Sequence, residues 1–301
     1  MRTKNFEVII IGGSYAGLSA AMALGRSLRK VLIIDSGLPC NRQTPQSHNF
    51  ITQDGVPPHQ ITAIAKEQLL QYKTVDFVND LALSAEKNKN GFSITTQSGN
   101  VVTAQKLIIA TGIKDLIPKI KGFEACWGIS MIHCPYCHGY EFRNKKTAIM
   151  ANGERAFHLA SLVNNLTDDI SILTTAKADF TSEQLVKLKS HRIAVIETEV
   201  AGIEHQDGHL QKVLFSNGKK LAFDAIYAGL PFSQNSDIPV SLGCELTEQG
   251  YIKVNEFQQT TIAGIYACGD NSTRMRSVAA AVASGNLAGA MVNAELTKEH
   301  F

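Results

Sequence analysis

Val8-Ile9-Ile10-Ile11-Gly12-Gly13-Ser14-Tyr15-Ala16-Gly17 is the stretch whose reading decides the fold. Val8 to Ile11 is a short, continuous apolar run of the kind a strand buried on both faces requires. A glycine-rich turn follows, then Ala16 to Leu28 with helical spacing, then a second apolar run from Val31 to Ile34 that ends at Asp35. Run, turn, helix and run make a β-α-β unit with parallel strands. The turn matches G-x-G-x-x-G at its first and third glycines and carries Ser14 at the second, the smallest departure available. Gly12 serves a tight turn and Gly17 close helix-strand packing, while the helix N-terminus offers unpaired N–H groups and a dipole that attract a pyrophosphate. A purely structural strand-turn-helix would carry the same glycines. Asp35, eighteen residues after Gly17, favours a ligand, because it stands where a carboxylate accepts hydrogen bonds from a ribose hydroxyl.

Further along, Lys106 to Ile109 is another buried strand, ending in the small-residue turn Ala110-Thr111-Gly112. Gly264-Ile265-Tyr266-Ala267-Cys268-Gly269-Asp270 repeats that pattern, and the Ala- and Gly-rich segment Val278 to Met291 reads as a helix able to approach a ligand closely. Between them lies a second β-α-β signal: strand Thr147 to Met150, turn Ala151 to Ala156, helix Phe157 to Val163 and strand Ile170 to Leu173. Pro118 and the Ser-, Asn- and Pro-rich stretch Pro231 to Pro239 mark crossings between the two units. The expected division is 1–115 plus 241–301 for the first domain and 116–240 for the second.

Cys134-Pro135-Tyr136-Cys137, followed at once by His138, places two thiols where they can close and reopen a disulfide within one helical turn. The thiolate is the reactive form, and His133 and His138 flank the pair as proton carriers. The same residue types bind zinc, but a structural zinc site needs a second ligand pair, and Cys40, Cys126, Cys244 and Cys268 form none, so no metal is expected. Cys268, at a buried strand end, reads as core packing. With 29 basic and 27 acidic residues among 301 and no basic run, neither nucleic acid nor an anionic membrane is implied. The stretch Met1 to Gly13 is too short for a signal-peptide core, no segment is long and apolar enough to span a bilayer, and the sparse cysteines suit a reducing compartment, so a cytoplasmic location is expected.

These motifs, in this order, resemble the low-molecular-weight thioredoxin reductase family of flavoprotein disulfide oxidoreductases. The resemblance implies an α/β architecture of two Rossmann-like three-layer dinucleotide-binding domains, the second inserted in the first. It implies FAD, with the pyrophosphate on Gly12, Ser14, Tyr15, Ala16 and Gly17, the adenosine ribose on Asp35, and Ala110-Thr111-Gly112 and Gly269-Asp270 completing the site. Arg276-Ser277, with the backbone at Val278, would approach the flavin ring, and His48-Asn49 would line the isoalloxazine. By the same pattern Cys137 is the thiol beside the flavin, Cys134 the outer thiol that meets substrate sulfur, and the enzyme a homodimer.

Three departures bear on function. The nicotinamide fingerprint G-x-G-x-x-A stands here as Ala151-x-Gly153-x-x-Ala156, without the glycine of the tight turn. Where NADPH-dependent relatives place an H-R-R-x-x-x-R run, this chain has Thr174-Thr175-Ala176-Lys177-Ala178-Asp179-Phe180, and one lysine does not reproduce paired guanidinium contacts. Both speak against NADPH or NADH. His138 replaces the usual aspartate after the second cysteine, so that C-x-x-C-H looks more like the dithiol oxidases of gliotoxin- and holomycin-type natural products, which use FAD and dioxygen. The expected activity is two-electron exchange between the Cys134/Cys137 pair and a small-molecule dithiol or disulfide, with His138 as acid-base group and dioxygen as acceptor. An NAD(P)H-dependent reductase of a thioredoxin-like protein is the alternative. A non-catalytic flavin- or zinc-binding redox sensor is a third reading.

Overall fold

A computed structural model describes residues 5–301; Met1–Lys4, part of the amino-terminal stretch read for a signal peptide, lie outside the described residues. The chain opens with β1 (Asn5–Ile11), α1 (Tyr15–Arg26), β2 (Val31–Asp35), α2 (Pro58–Leu69), β3 (Val75–Asn79), β4 (Ala82–Asn88), β5 (Gly91–Thr96), β6 (Val101–Ile109) and β7 (Ile113–Asp115). It continues through α3 (Phe123–Cys126), β8 (Met131–Ile132), α4 (Pro135–His138), β9 (Thr147–Met150), α5 (Gly153–Val163), β10 (Ile170–Leu173), α6 (Ser182–Ser190) and β11 (Ala194–Ile196). Then come β12 (Val200–Gln206), β13 (His209–Phe215), β14 (Lys220–Ala222) and β15 (Ala225–Ala228), followed by β16 (Phe232–Gln234), α7 (Ile238–Ser241), β17 (Ile265–Ala267) and α8 (Val278–His300).

Two compact units result. One holds residues up to Arg42, Asn49–Lys114 and Phe232–Phe301; the other holds Gln43–His48 and Asp115–Pro231. The return crossing thus falls between Pro231 and Phe232 rather than at 240/241. The reason is packing: Ile238 and Cys244 are buried in the first unit's core with Ile9, Ile11 and Ile265. Asp115, placed by sequence in the first domain, groups with the second unit, as does the short strap Gln43–His48, which no sequence motif announces.

In the first unit, β3-β2-β1-β6 form a parallel sheet that β17 joins at β6, and the antiparallel strands β5 and β4 extend it. The continuous apolar run of β1 is explained by its two buried faces. Val8 and Ile10 enter a core built with α1 and α8, and Ile9 and Ile11 enter the opposite one with Phe92 and Ile94. Helix α1 stops at Arg26, two residues before the expected end, because Leu28 takes a left-handed backbone (φ 57°) and is exposed. Helix α8 runs past Met291 to His300, and its last turns are tied to the sheet by Lys106, whose buried Nζ lies 2.8 Å from Glu295 and 2.6 Å from Glu299.

The second unit has a five-stranded parallel sheet in the order β11-β10-β9-β15-β8 and a separate antiparallel layer β12-β13-β14. Its helix α5 begins at Gly153 and absorbs much of the segment read as a turn from sequence, because the Asn152 side chain caps it by accepting the Gly153 N–H at 2.8 Å.

Helices α1 and α8 cross backbone to backbone. A Cβ at Gly285 would stand 2.1 Å from the Ala16 carbonyl oxygen, and one at Gly289 would stand 2.4 Å from that of Ala20. Gly285→Val should therefore destabilise the first unit by about 1–3 kcal/mol through overpacking, read as a lowered midpoint in urea unfolding. An unchanged midpoint would show that the helices separate at little cost.

Candidate active site

The first site is assembled at the carboxyl ends of β1, β6 and β17, where Ile11, Ile109 and Ala267 lie in register. Ligands in open α/β sheets bind at such strand ends. Gly12 has φ 105°, and a Cβ there would lie 2.2 Å from the Ala110 carbonyl oxygen; one at Gly17 would lie 1.8 Å from that of Gly12. Gly269, at φ 82°, comes so close to α1 that its Cβ would be 2.9 Å from that of Ala16. The glycine turn, the start of Ala110-Thr111-Gly112 and Gly269-Asp270 therefore meet through backbone. At the head of α1, Ser14 makes no side-chain cap and no acidic residue occupies the first turn, which leaves the helix dipole open to an anion. The buried Thr111 Oγ1 has no hydrogen-bond partner. A cradle that side chains would fill, an uncapped twelve-residue helix and an orphaned hydroxyl fit a dinucleotide.

Around this cradle the other expected residues take definite places. Asp35 fixes the turn, its Oδ1 accepting the Gly13 N–H at 2.8 Å and its Oδ2 the Gly37 N–H at 3.1 Å. Tyr15 donates to the Pro58 carbonyl at 3.4 Å and accepts from Asn41 at 3.2 Å. Asp270 Oδ2 lies 3.8 Å from Arg276 Nε and 3.8 Å from Cys40 Sγ, a neighbour that sequence reasoning left unassigned. Ser277 caps α8 by accepting the Ala280 N–H at 3.1 Å, which sets Val278 as the first helical residue. Asn49, with φ 60°, turns the chain and donates its N–H to Asp54 at 2.8 Å.

The second site follows β8. Cys134 precedes the single turn of α4, Pro135 starts it where no N–H is needed, and the Cys137 and His138 N–H groups return to the Cys134 carbonyl, each at 3.3 Å. One thiol donates to the other across 2.6 Å, so little movement is needed to close the pair. Gly139 is required there, since its Cβ would fall 2.3 Å from the Pro135 carbonyl oxygen. Burial pushes the His138 imidazole below its ordinary value, as does the nearby His48, while Glu141 pulls it back up. The buried Tyr227 phenol is raised, by burial first and then by the charges of Cys134 and Glu141. His48, expected at the flavin, belongs to the second unit's strap: its ring stands edge-on to that of His138, with centroids 6.3 Å apart, and its Nε2 is 3.6 Å from Glu141 Oε1. Neither Glu141 nor Tyr227 had a motif to single it out.

At the head of α5 the loop of the second glycine motif carries side-chain hydrogen bonds of its own. Asn152 accepts from both Gly153 and Asp179 N–H groups, at 2.8 and 2.9 Å, and donates to the Lys177 carbonyl at 2.8 Å. Glu154 sits in the first turn, held by Gln184 at 2.6 Å, and Glu197 accepts the Ala178 N–H at 2.7 Å. Arg155 lies across Gly229, where a Cβ would meet its Nε at 2.3 Å. Among the described residues, no group of three or more His, Cys, Asp or Glu is placed to hold a metal ion, and no helix is long and apolar enough to cross a membrane.

Comparison with known proteins gives a family and a fold. The family described as pyridine nucleotide-disulphide oxidoreductase matches residues 6–285. The thioredoxin reductase aclD of Aspergillus oryzae is 30% identical, with 98% of each chain covered, and the thioredoxin reductase tcpT of Claviceps purpurea is 29% identical over 98% of this chain and 96% of its own. Among solved structures, a putative thioredoxin reductase of Bacillus anthracis superposes with a TM-score of 0.93 at 28% identity, covering 98% of this chain and 100% of that one.

The six cysteines divide by burial. Cys268 is fully enclosed, and burial pushes its thiol up to about 12; burial raises Cys126 and Cys244 as well. Cys40 is exposed, and Cys134 and Cys137 are partly so. After mild reduction that opens the Cys134–Cys137 pair, a maleimide near neutral pH should therefore label Cys40, Cys134 and Cys137 in the native protein and reach Cys268 only after unfolding, as read by peptide mass spectrometry. Native labelling of Cys268 would contradict its place in the core.

Proposed function

This chain belongs to the pyridine nucleotide-disulphide oxidoreductase family, and from that premise we propose that it is an FAD-dependent dithiol oxidase that works without a nicotinamide cofactor. Its relatives support an enzyme acting on disulfides. The observation that carries the finer reading is the closure of the second dinucleotide motif by Asn152. An N–H that would meet a pyrophosphate is spent on a side chain, and Glu154 puts negative charge in the same turn. Glu197 and Asp179 flank the loop where a 2′-phosphate would need guanidinium groups. The residues present at this place do not fit NADPH.

They do fit FAD in the first unit. Gly12, Ser14, Tyr15, Ala16 and Gly17 would hold the pyrophosphate at the head of α1, with Asp35 toward the ribose and Ala110, Thr111, Gly112, Gly269 and Asp270 along the cradle. Arg276, Ser277 and Val278 would serve the ring end, and Asn49 is kept as a lining residue. When bound, FAD supplies the two-electron centre that exchanges with the cysteine pair and with dioxygen.

The protein's own steps concern sulfur and protons. With the pair oxidised, a substrate thiolate attacks Cys134 Sγ, the Cys134–Cys137 bond breaks, and Cys137 leaves as thiolate. The second substrate thiolate then attacks the substrate sulfur of the mixed disulfide, which closes the product disulfide and releases Cys134. The two protons lost by the substrate go first to a base, and His138 is suited to it. Its low basicity keeps the imidazole neutral and able to accept a proton. A homodimer in the cytoplasm, with a small dithiol as substrate, completes the proposal. Its competitor, an NAD(P)H-dependent thioredoxin reductase, draws on the names of the relatives.

An anaerobic titration separates the readings. A dithiol is expected to bleach the flavin, with peroxide formed on admitting air, and NADPH or NADH to leave it oxidised. Rapid bleaching by micromolar NADPH would overturn the oxidase reading, and a colourless protein with bound zinc would overturn both the oxidase and the reductase. Cys137→Ser should lose at least 100-fold in dithiol turnover, in line with removal of a reacting nucleophile. Because His138 is held below its ordinary value, kcat/KM should keep its plateau as pH falls to about 6.5 and decline only below. An acid limb above that value would exclude His138 as the base.

A further inference from the structure

The strap Gln43–His48 lies in sequence between two stretches of the first unit but groups with the second. Its Ser47 is buried, and Thr44 Oγ1 stands 3.2 Å from where a Cβ of Gly128 would be. What the strap delivers to the cysteine segment is His48. Its side chain is 17% exposed, lies 3.6 Å from Glu141 Oε1, and turns its ring edge-on to His138 at 6.3 Å between centroids. Glu141 is the wetter partner at 34%. A half-buried base that collects two protons per dithiol, one at a time, must discharge them, and a burial-depressed imidazole gives its proton up readily. A path outward needs a second titratable group in reach and a carboxylate touching water. His48, at 6.3 Å between ring centroids, is too far to share a proton with His138 directly and is one water away, and Glu141 is the carboxylate that reaches solvent; the two come from different parts of the chain.

We infer that His48 and Glu141 are positioning residues for His138, a paired imidazole and carboxylate that orient the base beside the cysteine pair and carry its proton to solvent. This rests on the dithiol-oxidase reading for its substrate, not for its geometry. Each substrate S–H breaks and its proton forms an N–H on His138 and leaves by way of His48 and Glu141 to water; the two electrons pass through the Cys134–Cys137 disulfide to dioxygen, which takes two protons back from water as it becomes peroxide. The other titratable groups around His138 are His133, Cys134 and Cys137 on its own segment and Tyr227 on β15. On α5, which packs beside α4, Glu154, Arg155 and His158 are exposed.

The two residues act on His138 with opposite sign: positive charge on His48 disfavours its protonation and the Glu141 carboxylate favours it, so His48 passes a proton on only from its neutral form. That makes the test sharp. In the full-length holoenzyme, NMR titration of the His138 ring should move to higher pH in His48→Ala and to lower pH in Glu141→Gln. A merely structural role does not predict opposite shifts. With dithiothreitol as probe substrate, each variant should lose about 10- to 100-fold in kcat with little change in KM, as losses of groups that orient a reacting residue do. The double variant should be no worse than the poorer single one, and added imidazole should restore part of the activity of His48→Ala. Flavin content and melting temperature serve as folding controls, and Glu141→Asp is the variant expected to keep function if Glu141→Gln fails to fold. His138 titrations unmoved in the variants, or losses that simply add, overturn the inference. A wild-type enzyme idle with dithiols overturns the oxidase reading alone, since the titrations need no turnover.

Discussion

Backbone must touch backbone at the head of β1, and the first unit is arranged around that requirement. The Gly12 turn lies against the Ala110 carbonyl, Gly17 against the Gly12 carbonyl, and Gly285 against that of Ala16, at separations where a Cβ would overlap a carbonyl oxygen. Side chains are excluded from three successive layers, which brings β6 and α8 close to one helix terminus. The head of α1 itself has no side-chain cap and no acidic residue in its first turn. Close backbone packing and N–H groups left facing outward therefore meet at one place.

Asp35 shows how that surface is kept in shape. Its carboxylate takes N–H groups from Gly13 and Gly37, so the residue proposed for the ribose end braces the turn. Loss of its charge would disturb both the loop and the ligand, and the two roles cannot be apportioned by one substitution. Lys106 has a comparable structural part at the far end of α8, where two carboxylates and the Tyr266 hydroxyl around Glu295 compensate a buried ammonium.

The doubled β-α-β architecture and both glycine-rich turns were legible because apolar runs and small residues at fixed spacing reflect local constraints. Strands β2, β9 and β10 lie where their apolar runs stand in the sequence. Boundaries set by tertiary packing were not legible. Ile238 reads as a residue in a polar linker until the core it fills is known, and the last turns of α8 pair with Lys106, far away in sequence. His48 is the clearest case. Its neighbour Asn49 returns to the first unit while His48 stays with the second, and no periodicity in a loop encodes such a division. Glu141 and Tyr227 were missed for the same reason, since each acquires its role from what packs beside it.

The second unit's parallel sheet also positions the cysteine pair. β15 pairs with β8 in parallel, Ile226 with Met131 and Tyr227 with Ile132, and β9 pairs with the other edge of β15. The strand that feeds Cys134 is thus only two residues long and depends on that sheet for its direction. Tyr227, on the same register step, supplies a buried hydroxyl that senses the charge of Cys134. Asn152 stitches the loops after β9 and β10 together, replacing with three hydrogen bonds the order that a bound ligand would impose. Asn152 thereby stiffens the loops above a sheet whose short strand β8 leads directly into the cysteine pair, so the thiols take their place from the strand order.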